Sequence, residues 1–178
     1  MTQISAPDAE ALYRKLLDQA RALIPDAERE RWSVAGIHSG GAWIAARLAA
    51  DLNLPEHGVI NVAFHRDDYA KKGLHSQAQP TTLPFAVEDR NILLIDDVLA
   101  TGRTIRAAVN ELFDYGRPAR VALGVLADRG GRQLPIAADL VAAEIELPRG
   151  KTLVLSRQGE GADARFAFAT EPADTAAG

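Results

Sequence analysis

Two adjacent acids, Asp96 and Asp97, follow an uninterrupted apolar run, and a short turn rich in small polar residues comes directly after them. The apolar run, from Ile92 to Ile95, is typical of a strand covered on both faces of a parallel sheet. Ligands of open parallel sheets bind at the carboxyl ends of the strands, so the acids are expected at a binding edge. Carboxylates accept hydrogen bonds from hydroxyl groups, which suits a sugar ligand.

The turn after the acids has the composition of an anion-binding loop. Thr101, Gly102 and Thr104 lead into a segment whose apolar residues recur at helical spacing. The start of a helix presents unpaired backbone N–H groups and a partial positive charge, and glycine allows close approach of the backbone to a phosphate. An alternative interpretation is an ordinary strand-to-helix turn with an acidic N-cap, although a cap needs only one acid.

A second glycine-rich turn, residues 36–41, lies between an expected strand over 33–38 and an expected helix. Parallel strands end at the same edge of a sheet, so this turn should lie near the first one. By itself it lacks the lysine of a P-loop and the spacing of a dinucleotide fingerprint. An anion-binding loop and a plain strand-to-helix turn therefore both remain open at this position.

The remaining elements are predicted from apolar periodicity and from helix and turn signals. A first helix begins after Asp8 and is stopped by Pro25, and the first helix and the late short strands are expected to cap the carboxyl edge. The segment from Asp67 to Pro84 is polar and aperiodic, which favours a lid or a disordered stretch. The other expected elements are strands over 58–66, 119–126 and 139–143, a helix from Arg103 to Tyr115 with Gly116 as a left-handed cap, and a hairpin of 152–156 with 165–168.

Composition narrows the class of protein. The length of 178 residues fits one domain over residues 1–178, with a frayed tail over 170–178. The absence of cysteine excludes disulfides, thiolate metal sites and cysteine nucleophiles. A net charge of -4 argues against a surface that coats nucleic acid generally. No long apolar run indicates a signal peptide or a membrane span, so a cytoplasmic location is expected.

The segment from Asn91 to Thr104 resembles the binding motif for 5-phosphoribosyl 1-pyrophosphate (PRPP) of the type I phosphoribosyltransferases, in which four apolar residues precede two acids and a turn ending Thr-Gly-x-Thr. The resemblance implies an α/β fold, a parallel sheet flanked by helices with a small hood and a flexible lid loop. It implies that Asp96 and Asp97 are catalytic and hold the ribose hydroxyls. The residues implied at the 5'-phosphate are Leu99, Ala100, Thr101, Gly102, Arg103 and Thr104. Those of a pyrophosphate loop, in which a non-proline cis peptide is expected, are His38, Ser39, Gly40 and Gly41.

Four motifs in order, at 66–68, 96–104, 116–118 and 128–135, resemble the family of bifunctional pyrimidine-operon attenuation regulators and uracil phosphoribosyltransferases. This resemblance spans about residues 8–157 and implies conversion of uracil and PRPP to UMP and pyrophosphate. It implies Mg²⁺ bound through PRPP with no direct protein ligand, and a homodimer or higher homo-oligomer. The residues implied beside the base are Asp128 and Arg129.

The end of the expected strand and the expected lid that follows it hold further cations. Arg66, at the end of an expected strand, is a third catalytic candidate, since it could close over the pyrophosphate. Lys71 and Lys72 are either lid cations or solvated surface residues.

Two other functions stay open. One is a UMP- or UTP-sensing protein that binds a pyrimidine leader RNA, with candidate contacts that are also ordinary surface cations: Arg14, Arg21, Arg132, Arg149 and Lys151. The other is a phosphoribosyltransferase for another base, because the base is read by the hood and not by the PRPP loop. Salt-dependent RNA binding would separate the first of these from the enzyme.

The chain departs from the family pattern at several positions. His38-Ser-Gly-Gly41 stands where Lys-Thr-Arg-Gly is usual, which removes two cations, and Ala100 replaces a tyrosine. Gly131 and Gln133 replace a histidine and an acid on either side of Arg132. We therefore expect slow UMP formation and weak, salt-dependent RNA binding. His57 and His75 are expected at the surface.

Overall fold

The computed structural model describes residues 5–62 and 80–174. Five parallel strands form a sheet in the order β2-β1-β3-β4-β5. Their bounds are Trp32–Ile37 for β1, His57–Ile60 for β2, Asn91–Leu99 for β3, Arg120–Asp128 for β4 and Leu140–Glu144 for β5. The helices are α1 (Ala9–Leu23), α2 (Gly40–Asp51) and α3 (Arg103–Asp114), and β6 (Lys151–Gln158) pairs with β7 (Arg165–Pro172) as an antiparallel hairpin. The expected parallel α/β fold is confirmed.

Helices cover both faces of the sheet. On β3, Leu93 and Ile95 pack in a core cluster with α1 and α2, whereas Ile92 and Leu94 pack in a second cluster with α3. Alternating side chains of a strand point to opposite faces, so a strand with both faces covered is apolar throughout. None of the helices in residues 5–62 and 80–174 is long and apolar enough to cross a membrane.

Helix α1 belongs to the layer that flanks the sheet. It begins after Asp8, whose side chain accepts a hydrogen bond from the amide of Ala11 (3.1 Å). Its apolar stripe packs on β4 and β5, and the side chain of Gln19 donates to the backbone carbonyl of Val141 (3.0 Å). Helix α1 also contacts the hairpin formed by the late strands, where the rings of Tyr13 and Phe166 lie 5.6 Å apart.

The hairpin β6–β7 forms the small hood. Its inward residues, Leu153, Leu155, Phe166 and Phe168, belong to the core cluster of α1 and α2. At one end, Glu10 of α1 accepts hydrogen bonds from the amide of Phe166 (2.7 Å) and from Arg47 of α2 (2.8 Å). At the other end, Thr152 accepts from Arg129, directly after β4 (3.2 Å). The hairpin is therefore fixed beside the carboxyl edge of the sheet.

Strand β2 is shorter than the alternating sequence predicts. Its ladder with β1 ends at the pair Ile37 and Ile60, because β1 itself ends there. On the other side of β2, Thr82 forms an isolated antiparallel bridge with Val59 through two backbone hydrogen bonds (2.9 and 2.8 Å). Residues 80–84, expected in the lid, are thus attached to the edge of the sheet. The end of the expected strand, with Arg66, and the rest of the expected lid, with Lys71, Lys72 and His75, lie outside the described residues.

Candidate active site

The paired acids lie within β3 and not after its end. The ladder with β4 continues through Asp96, opposite Val125, to Leu99, opposite Asp128. The sequence predicted an earlier end because its apolar run stops at Ile95. Since the acids belong to a hydrogen-bonded strand, the sheet fixes their backbone positions.

The two carboxylates face different layers. Asp97 lies on the side of α2, and Asp96 lies on the side of α3, because successive strand residues alternate. Asp96 is buried, 8% exposed, and its carboxylate accepts the amide of Asp97 (2.9 Å). Asp97 is half-buried and accepts the amide of Val98 (2.8 Å). The pair therefore offers hydrogen-bond acceptors on both faces of the sheet at the end of β3.

The expected PRPP loop, residues 99–104, ends in the first turn of α3. Gly102 precedes the helix with a φ of +92°, a backbone conformation that residues other than glycine rarely adopt. A Cβ atom at this position would lie 3.1 Å from the side chain of Ile136. The first backbone N–H groups of a helix have no acceptor within the helix, so α3 offers donors to an anion here.

The expected pyrophosphate loop lies beside the acids. The peptide between His38 and Ser39 is cis, as the family resemblance implies, and both side chains are exposed. A Cβ at Gly41 would lie 2.3 Å from the carbonyl oxygen of Ile95, and a Cβ at Gly40 would lie 2.5 Å from Oδ2 of Asp97. The first turn of α2 therefore packs directly on β3, and the two glycine turns meet at one edge.

A third segment, residues 128–136, completes this edge, and we call it the base-side loop. Asp128 forms an ion pair with Arg132, four residues later. The hydrogen bonds from Arg132 hold the pKa of Asp128 below its usual value, and burial opposes this only in part. Asp128 is therefore an anion at neutral pH.

The side chain of Arg132 makes its hydrogen bonds within the protein. Its guanidinium also donates to the carbonyl oxygens of Ala100 (2.9 Å) and Ile136 (2.8 Å). Its side chain is 27% exposed. Arg132 is one of the candidate RNA contacts, and in the structure its guanidinium donates to internal acceptors, so a contact with RNA stays a prediction. The spacing Asp-x-x-x-Arg was the sequence signal for the ion pair, but nothing local indicated the contact with Ala100.

The other cations of the site are bound by neighbouring loops. Arg129 donates to Thr152 of the hood, and Nε of Arg103 donates to Oε1 of Gln133 (2.8 Å). Gln133 stands where the family usually has an acid, so a neutral acceptor takes the place of an ion pair. His57, expected at the surface, is half-buried in β2, and burial lowers its pKa.

The edge thus combines two carboxylates, a helix start at which the amide of Arg103 donates to Oγ1 of Thr101 (3.2 Å), and a glycine turn without lysine or arginine. Among the described residues there is no group of three or more His, Cys, Asp or Glu side chains that could hold a metal ion. Two carboxylates beside a helix start suit a ligand that carries hydroxyl groups and phosphate.

Comparison with known proteins identifies the family. Residues 2–151 match the model of the phosphoribosyl transferase domain. The chain belongs to the phosphoribosyl transferase family. Within it, the chain is 68% identical to the bifunctional protein PyrR of Ralstonia nicotianae over 165 residues, which cover 93% of this chain and 95% of that protein. It is 48% identical to the PyrR of Nitrosococcus oceani, with 83% and 85% of the two chains covered.

Solved structures of phosphoribosyl transferases share the fold. The hypoxanthine phosphoribosyl transferase of Trypanosoma cruzi aligns with a TM-score of 0.58 at 23% identity, over 81% of this chain and 79% of that one. The HGPRT-ase of Leishmania tarentolae, solved with GMP, aligns with a TM-score of 0.61 at 16% identity, over 85% of each chain. The chain is accordingly a pentosyltransferase and a member of the PyrR group of phosphoribosyl transferases.

Proposed function

We propose that the chain transfers the phosphoribosyl group of PRPP to uracil and releases UMP and pyrophosphate. The observation that carries the proposal is the contact between three parts of one sheet edge. The paired acids of β3 lie directly before the glycine start of α3 and against the first turn of α2. A ribose with a phosphate at one end and a pyrophosphate at the other needs this order of groups.

The roles of the residues follow from their chemistry. Asp96 and Asp97 accept hydrogen bonds from the ribose 2'- and 3'-hydroxyls, and their negative charge stabilises the positive charge that develops on the ribose as the bond to pyrophosphate breaks. Residues 99–104 bind the 5'-phosphate through amides and hydroxyl groups. N1 of uracil forms the new bond to C1 as pyrophosphate leaves with the bonding electrons, and the N1 proton passes to solvent. The chain needs no covalent nucleophile for this step.

The pyrophosphate end has little fixed charge. Residues 38–41 offer backbone groups and a histidine but no lysine or arginine. Mg²⁺ carried on PRPP oxygens would neutralise the leaving group, and a hard cation that keeps its waters fits a site with two adjacent acids and no ligand cluster among the described residues. Arg66 stays a candidate for the same task, although it lies outside those residues.

The choice of uracil rests on the base side. Asp128 and Arg129 match the family motif and lie where β4 meets the PRPP loop and the hood. The chain is 68% and 48% identical to two proteins named bifunctional protein PyrR, which supports its place in the group whose motifs imply uracil as the base. The likeness to hypoxanthine enzymes is below 25% identity and concerns the fold alone.

A turnover assay with PRPP, magnesium and a panel of bases tests the proposal. Uracil should give UMP and pyrophosphate, and cytosine, orotate, hypoxanthine and guanine should give far less product. Turnover of a purine with none of uracil would replace the proposed substrate. Absence of turnover with every base would remove the proposal.

The PyrR relatives are named bifunctional, and this favours a second activity, attenuation of pyrimidine genes through a leader RNA. Exposed cations that can reach RNA remain at Arg14, Arg21, Arg149 and Lys151, whereas Arg132 is bound internally. We propose weak binding by a homodimer or higher homo-oligomer in the cytoplasm, strengthened by UMP. The affinity should fall steeply with salt, and the slope of log K against log salt counts the phosphates contacted. Affinity independent of salt would contradict contacts of this kind.

A further inference from the structure

The carbonyl groups of three successive residues, 99–101, all accept hydrogen bonds from the base-side loop. The donors are, in order, the amide of Arg129 (3.0 Å), the side chain of Arg132 (2.9 Å) and the amide of Gln133 (2.9 Å). Each carbonyl group on the side of the PRPP loop that faces the base-side loop is therefore held by its own hydrogen bond.

A fixed carbonyl also fixes the next amide. The peptide unit is planar and trans, so the C=O of one residue and the N–H of the next point in opposite directions. Residues 100–102 must then direct three successive N–H groups away from the base-side loop. Successive N–H groups that point the same way form a concave site for an anion.

Arg132 is the replaceable part of this arrangement. The outer two carbonyls are held by backbone amides, which every residue except proline provides. The middle carbonyl, that of Ala100, depends on one side chain. The same guanidinium binds Asp128 and the carbonyl of Ile136 (2.8 Å), so a rigid planar group spans the base-side loop and the PRPP loop.

We infer that Arg132 is a positioning residue of phosphoribosyl transfer, which orients the amides of the PRPP loop toward the 5'-phosphate from behind. The inference rests on the proposed function, because it takes residues 99–104 as the phosphate site. Arg132 touches neither the phosphate nor the base in this role. It also joins Asp128, on the base side, to the phosphate loop through one group.

The test is the affinity of Arg132→Gln for two probes that report different loops. Ribose 5-phosphate reports the PRPP loop, and magnesium pyrophosphate reports residues 38–41. By calorimetry, ribose 5-phosphate should bind ~10-fold or more weakly, which is the size of a lost hydrogen bond to a charged group. Pyrophosphate affinity should be unchanged. A merely structural role would lower the melting temperature and leave the affinities of the folded protein for both probes unchanged.

Two further variants complete the test. Arg106→Gln removes the same charge from an exposed position on α3 and should bind ribose 5-phosphate as the wild type does. Arg132→Lys keeps the charge beside Asp128 but has one ammonium group for three acceptors, so its affinity should lie between those of the wild type and Arg132→Gln. If Arg132→Gln does not fold, Arg132→Lys decides by the same comparison of probes.

Wild-type affinity for ribose 5-phosphate in a folded Arg132 variant would overturn the inference, and so would an equal loss in Arg106→Gln. Failure of the proposed function gives a different result. In that case the wild type itself neither binds ribose 5-phosphate nor turns over PRPP.

Discussion

The two glycine-containing turns at the carboxyl edge are built in different ways. The PRPP loop, residues 99–104, continues from a paired strand, follows two acids and is held from behind by the base-side loop. The pyrophosphate loop, residues 38–41, has exposed side chains at its start and is held by the packing of α2 on β3. The carbonyl groups of the first turn are bound by another loop, whereas the second turn is held mainly by close backbone packing, with one backbone hydrogen bond from His38 to Ile60 (2.9 Å). If the proposed function holds, the ribose phosphate end is the more firmly fixed of the two, and a metal carried by the substrate would neutralise charge at the pyrophosphate end.

Removal of the two acids before the PRPP loop should lower turnover more than any change in either turn. Asp96→Asn combined with Asp97→Asn keeps the shapes of the side chains but removes both negative charges and replaces one acceptor oxygen of each side chain by a donor NH2 group. We expect turnover to fall by roughly 10³-fold or more, since one well-placed electrostatic group contributes about 10²- to 10³-fold. Initial rates of UMP formation measure it, with circular dichroism as the check on folding.

The control is Asp114→Asn with Glu146→Gln, which removes two exposed acids elsewhere. Near-normal rates in the folded Asp96 and Asp97 variant would mean that these acids do not serve the ligand.

Gly102→Val should distort the PRPP loop and leave the pyrophosphate loop unchanged. A β-branched residue resists a φ of +92°, at a cost of about 1–3 kcal/mol, and its Cβ would press on Ile136. We expect UMP affinity, measured by calorimetry, to fall by roughly 10- to 100-fold. Gly150→Val is the matched control, because Gly150 has a φ of +72° and open space around it. Unchanged affinity would reduce this turn to a helix start.

Gly41→Ala tests the contact that builds the pyrophosphate loop. The new methyl group would meet the backbone carbonyl of Ile95, which no side-chain rotation can relieve. Overpacking of this kind costs about 1–3 kcal/mol of unfolding free energy, measured by urea denaturation. We also expect slower turnover, because the first turn of α2 must move away from Asp97. Ala50→Ser, at an exposed position of the same helix, should change neither quantity, and unaltered stability of Gly41→Ala would show that α2 shifts freely.

The smallest expected effect is a gain. His38→Lys returns one cation to the pyrophosphate loop at an exposed position, where a charge pair is worth about 0.2–1 kcal/mol, or up to ~5-fold in rate. We expect turnover to rise within that limit at low salt and the gain to vanish at high salt. Gln158→Lys on the hood controls for net charge. A rate that does not rise would show that a cation at this position does not assist departure of pyrophosphate.

Local signals in the sequence were enough to predict most elements of the fold. Helix α1 has an acidic cap at Asp8 and a stop at Pro25, and α3 has a helical apolar repeat that ends before Gly116, whose φ of +148° favours glycine. The hairpin was predicted from two short apolar runs. The ends of strands were harder to predict, because pairing decides them. Strand β2 ends where β1 ends, and β3 continues through Asp97 because β4 runs beside it.

The candidate site was predictable where one motif holds all its parts, as in residues 91–104. The contact between Arg132 and Ala100 was not predictable, because Ala100 lies 32 residues earlier in the chain. Side chains that connect two loops leave no periodic trace in a sequence. Arg66 and the lid from residue 67 to residue 79 stay predictions, and hydrogen exchange with and without PRPP can test the lid.

The bridge between Val59 and Thr82 has a consequence for self-association. Strand β2 is at the border of the sheet, and an unpaired border strand can template pairing with another chain, which leads to aggregation. The N–H and C=O of Val59 are both engaged by Thr82, and the amide of Asn61 is engaged by Thr81. Residues 80–84 thus cover part of the border strand, and substitutions that detach this short segment should make the protein more prone to aggregate.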